Sequence, residues 1–93
     1  MDEGHHFFAA ELERLLLLPL QPEEALRIWY EEARKLQQTL HQQYPGVEVP
    51  HEIWHFFSDA DIRAKGSEAA YRNRQEAIVR EFIDSLRASE HAS

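Results

Sequence analysis

Glycine and proline divide this chain, and the division leaves room for little but helix. Gly4, then Pro19 with Pro22, then Pro45-Gly46 with Pro50, then Gly66 punctuate it. Between them lie segments at about 5–18, 22–43, 51–65 and 67–88, each with apolar residues at helical spacing. Nothing alternates long enough to make a strand, since Val47-Glu48-Val49 is only a connector. The expected fold is all-α: one domain, residues 1–93, built as a bundle of four helices with short Pro- and Gly-marked loops.

The first segment places Phe8, Leu12, Leu15 and Leu16 on one helix face, with Glu11, Glu13 and Arg14 opposite. Leu17 and Leu18 widen the apolar arc beyond what one neighbour covers. In the second, Pro22 suits the first helical position, and Glu23 and Glu24 suit the positive end of the helix dipole. Leu26, Tyr30, Ala33, Leu36 or Gln37, Leu40 and Tyr44 form its stripe, flanked by Ile28 and Trp29. In the third, Ile53, Phe57, Ala60 and Ala64 share a face, and His51, His55 and Asp59 lie roughly opposite. Ser58 with Asp61 reads as a second capping box, so this segment is one helix, or a short helix, a kink and another turn. Gly66 predicts a left-handed cap, and Ser67 an N-cap for the last segment. There Tyr71, Ile78, Phe82 and Leu86 make the stripe, with Val79 and Ile83 beside it. Glu68, Arg72, Glu76, Arg80 and Asp84 form a solvated ladder of alternating sign, and residues 89–93 are expected to fray.

Charge and composition narrow the function. The chain carries a net charge of −7, and the acid excess lies early: from Asp2 to Glu32 the carboxylates face only Arg14 and Arg27. That argues against gripping phosphate backbones and fits a protein partner. Arg63, Lys65, Arg72 and Arg74 make a loose basic cluster that reads as a solvated face, because only Tyr71 is interleaved for stacking. Without cysteine there is neither a disulfide nor a thiolate. The run from Leu15 to Leu18 is too short to span a bilayer, and the acidic start is unlike a secretion signal. The expectation is a soluble, cytoplasmic protein that binds neither membrane nor nucleic acid.

One motif carries chemistry. His51-Glu52-Ile53-Trp54-His55 matches H-E-x-x-H, in which two imidazoles four apart on a helix can meet one metal ion. Over these five residues the chain resembles the zincin metallopeptidases. The resemblance implies zinc held by His51 and His55, with Glu52 as general base toward a zinc-bound water. It also implies a third ligand downstream, for which Glu68, Glu76 and Glu81 are candidates. The pattern departs from those enzymes at Pro50, at Ser58 in place of a glycine, and in having no sheet for a substrate to lie along. A milder reading keeps His51 and His55 as ligands and gives Asp59, at i+8, the role of third ligand or of orienting His55. Simpler still, both histidines are exposed, capping, or buried against a partner.

Trp54 and Ile62 lean toward the histidine side, so the third segment is apolar around much of its circumference, as the first is through Leu17. Such an excess predicts an interface at Leu17, Trp54 and Ile62. The chain is accordingly read as acting by protein–protein contact, as an adaptor, accessory subunit or inhibitor, with a protein partner or a second copy of itself in a homodimer. The alternative is a metal-binding protein or zinc-dependent hydrolase built on the histidine motif.

Overall fold

Helix fills nearly all of the space between the breaks. The computed structural model describes residues 3–66 and 69–91. Among them are five helices and no strand: α1 (Glu3–Leu17), α2 (Glu23–Gln43), α3 (His51–Ser58), α4 (Ala60–Ala64) and α5 (Ala69–His91). The fold is all-α. One helix more than four arises because the third segment breaks at Asp59.

That break has a local cause. Asp59 takes φ −102° and ψ 17°, outside the helical well, and serves as C-cap of α3 and N-cap of α4. The Ser58 hydroxyl donates back to the carbonyls of Trp54 at 3.1 Å and His55 at 3.3 Å. Used in this way it does not cap α4, and the capping box expected of Ser58 and Asp61 is not formed. The Asp59 carboxylate turns instead to α5, where the Tyr71 hydroxyl and the Gln75 amide donate to it.

Proline and glycine act as the spacing implies, with two corrections. Pro22 is the N-cap of α2 rather than its first residue, and its carbonyl accepts from Ala25 at 2.9 Å and Leu26 at 3.2 Å. Gly4 is no boundary: it lies inside α1 and is buried. A Cβ there would stand 2.6 Å from Val47 Cγ2 and 3.1 Å from Tyr44 Cβ, so its missing side chain lets α1 approach the α2–α3 connector. Gly66 has φ 72°, the left-handed conformation expected of it. Ser67 and Glu68 lie outside the described residues, as do residues 92 and 93. The helix expected to fray from Ser89 continues to His91.

The core joins all five helices. α1 packs on α2 and α5; α3 packs on α5, and α4 on α2 and α5. Phe8, Leu12 and Leu15 meet Trp29, Leu36 and Leu40, Ile53, Phe56 and Phe57, and Val79, Ile83 and Leu86. Two stripes are turned from their expected lines. On α2 the centre is Trp29, fully buried, whose indole N–H donates to the Leu15 carbonyl at 2.9 Å. That bond joins a longer one from the Leu18 N–H, at 3.3 Å, on a carbonyl in the last turn of α1. On α5 the buried edge runs through Gln75, Val79, Ile83 and Leu86, while Tyr71 stands exposed at its start. Gln75 faces inward because Arg63 is buried beside it, with Nη1 donating to its amide oxygen. Among the described residues no helix is long and apolar enough to cross a membrane.

Candidate functional site

The site begins at Pro50. Its backbone, at φ −62° and ψ 156°, is extended, and its carbonyl accepts from Ile53 at 3.0 Å and Trp54 at 3.2 Å. Helix α3 therefore starts at His51 and places His55 one turn further on. Ile53, Phe56 and Phe57 take the inward side, which leaves both imidazoles exposed. The two rings stand edge to face, with centroids 4.4 Å apart and planes at 88°. Their Nε2 atoms are 2.9 Å apart, so one donates to the other.

Asp59 approaches the opposite edge of the His55 ring, with Oδ2 4.0 Å from Nδ1. It belongs to a small network in which the Tyr71 hydroxyl bonds both the Asp59 carboxylate and the Gln75 amide. The hydrogen bond to Asp59, with some burial, raises the Tyr71 phenol above its usual pKa. Glu52 is exposed on α3. Of the proposed third ligands, Glu76 accepts from Arg72 at 3.1 Å, Glu81 is exposed on α5, and Glu68 is outside the described residues. Among the described residues no three His, Cys, Asp or Glu side chains converge on a common point.

The apolar candidates lie in separate places. Leu17 is 80% exposed, beside a shallow groove between α1 and α5 whose charges alternate through Glu13, Arg80, Asp84 and Arg87. Ile62 is half-buried. Trp54 is 47% exposed, its indole edge-on to Phe57 at 5.8 Å. It stands where two depressions between α2 and α3 meet. One, of about 250 Å³, is walled by Leu40, His41, Tyr44 and Val47; the other, of about 460 Å³, by Tyr30, Ala33, Arg34 and Phe57. Gln37 and Trp54 line both. Neither depression has a carboxylate in its wall; the side chains there that carry or can take positive charge are Arg34 and His41. Those two residues were not singled out from the sequence. The spacing Arg34, Gln37, His41, Tyr44 would have marked them, since it is one helical line beside the main stripe of α2.

Arg63 corrects the sequence reading most. Taken as part of a solvated basic face, it is 2% exposed. Its guanidinium lies over Phe56 at 4.3 Å and Trp29 at 4.9 Å from the ring centroids. Nη1 donates to the Phe56 carbonyl at 2.8 Å, and Nη2 has no hydrogen-bond partner among the described residues. A void of about 10 Å³ lined by Arg63, Arg72 and Glu76 has room for one water at most. Burial pulls the guanidinium down to about 10, so it stays charged at neutral pH. The sequence did hold the signal, because Ile53, Phe56, Ala60 and Arg63 are spaced as one inward line.

The chain matches no protein-family model, no curated protein and no solved structure.

Proposed function

We propose that the protein works by protein–protein contact, and that the cleft between α2 and α3 is the surface that makes it. The observation behind this reading is the exposure of Trp54, 47% accessible where two depressions meet, one walled by Leu40, Tyr44 and Val47 and the other by Tyr30, Ala33 and Phe57. A half-exposed tryptophan in a groove is the kind of anchor that carries much of an interface's energy. The chain is acidic overall, yet the cleft wall holds Arg34 and His41 and no carboxylate. An occupant with an aliphatic or aromatic anchor followed by Asp or Glu complements both features. An adaptor, accessory subunit or inhibitor would use such a segment of its partner.

The test is selection of random peptides displayed on phage, in EDTA, with counter-selection on Trp54→Glu. Enrichment of peptides combining an apolar anchor with acidic residues is the expected result. Pools that bind the variant equally well would remove the cleft from consideration. A second copy of the chain is the competing occupant. In that case Trp54→Asp or Leu17→Asp lowers the apparent mass in gel filtration while leaving the helical circular dichroism unchanged.

A further inference from the structure

We infer that His51 and His55 form half of a divalent-metal site, and that the same pair from a second copy of this chain completes it. The pair is already convergent, with two Nε2 atoms 2.9 Å apart on an exposed helix face. An ion bound about 2.0–2.1 Å from each of two nitrogens at that separation is subtended at about 90°. A tetrahedral ion would need them spread to about 3.4 Å. Adjacent corners of a square suit copper(II) or nickel(II), for which imidazole is a fitting ligand. On binding, the ring whose Nε2 donates in the metal-free pair moves that proton to its own Nδ1 through solvent, so that both Nε2 lone pairs are free for the ion. For His55 that Nδ1 faces the Asp59 carboxylate at 4.0 Å, and Tyr71 and Gln75 hold that carboxylate in place.

Two ligands leave the opposite corners open. Asp59 lies on the Nδ1 side of His55, and among the described residues no third His, Cys, Asp or Glu joins the two Nε2 atoms as a ligand. A second α3 related by a two-fold axis through the metal brings two imidazoles to those corners, in the isologous arrangement usual for dimers. Trp54, which lies between the two histidines in sequence and is 47% exposed, stands on the helix that would be covered. Each chain carries a net charge of −7, so two copies repel; a dication at the contact, near Glu52 and Asp59 of both, offsets that repulsion locally. The inference is independent of the cleft, whose test is run without metal.

Copper(II) chloride added to the metal-free protein, followed by sedimentation and by electron paramagnetic resonance, tests the site. The expected result is a doubling of mass that saturates at half an equivalent of copper, a spectrum with four equatorial imidazole nitrogens, and reversal by EDTA. His51→Ala and His55→Ala should each abolish the doubling with unchanged circular dichroism, since both side chains are exposed. A monomer taking one copper per chain with two nitrogens would overturn the bridge. Equal copper binding by the His55→Ala variant would overturn the site itself, placing the metal on other histidines.

Discussion

The inner and outer sides of the α3–α4 segment hold the opposite of what residue chemistry alone would assign. Inside, Arg63 is 2% exposed; outside, Trp54 is 47% exposed. The arginine is tolerated in the core because the faces of Trp29 and Phe56 receive its charge and the Phe56 carbonyl and Gln75 amide accept from it. The tryptophan has no such compensation: its ring meets Phe57 nearly at a right angle, and about half of the residue stays in solvent. The difference separates two roles. Arg63 ties α4 to α2, α3 and α5, while Trp54 is left available to something outside the fold.

The largest effects should come from the inner side. Arg63→Ala removes the cation and leaves a cavity, an unmet Phe56 carbonyl and an unmet Gln75 amide oxygen; a loss of roughly 3–5 kcal/mol is expected in urea unfolding. Arg63→Met keeps the volume without the charge and should recover more than half of that. A loss below about 1 kcal/mol for the alanine variant would mean that the guanidinium does not organise the segment. The two tryptophans repeat the comparison. Trp29→Ala, which also removes the shorter of two hydrogen bonds to the Leu15 carbonyl, should cost about 3–5 kcal/mol. Trp54→Ala should stay within about 0.5 kcal/mol in the isolated protein and act only on binding. Similar costs for both would mean that Trp54 is as much a part of the core as Trp29.

A smaller effect is expected where α1 meets the connector before α3. Gly4→Ala gains helix propensity worth about 1 kcal/mol but drives a methyl to 2.6 Å from Val47 Cγ2. Overpacking of this kind costs about 1–3 kcal/mol, so the net change in urea unfolding should be destabilising by about 1. A stabilised variant would show that the connector yields freely.

The comparison also explains what the sequence disclosed. Periodicity exposed the helices because each buries a stripe, and glycine and proline marked most of the joints by their backbone limits. Ile53, Phe57 and Ala60 fell inward and His51 and His55 outward for the same reason. Most errors sit where a side chain's partner is far away in the chain, and Ser58 is the local exception. Ser58 and Asp61 match a capping box, but the Ser58 hydroxyl bonds backward and Asp61 binds Tyr30 of α2. Gly4 resembles a helix boundary until Val47 stands against it. Arg63 resembles a surface cation until Trp29 and Phe56 enclose it. The pairing of His51 with His55 was legible, being local; the cleft beside Trp54 was not, since half of its wall belongs to α2.

The smallest expected effect is a dependence on alkaline pH that sets the inner charge against two phenols tied to the α3–α4 junction. Tyr30, which accepts from the Asp61 amide at 3.1 Å, has its pKa raised chiefly by burial; Tyr71 has its pKa raised chiefly by its bond to Asp59. Both phenols keep their protons in the folded chain at a pH where the unfolded chain has begun to lose them. Their contribution is therefore complete below about 10 and is lost as the pH rises through their folded values. Arg63 has the opposite sign. Its pKa is lowered to about 10 by burial, so the folded chain releases that proton before the unfolded chain does, and the penalty of burying the charge is relieved as the pH climbs. The Tyr30→Phe/Tyr71→Phe double variant removes the falling contribution and keeps the rising one. Between about pH 9 and 11 its urea midpoint should shift upward relative to that of the parent chain. Parallel profiles would mean that the phenols do not bind the two aspartates as described, and that Asp59 is free to turn toward His55.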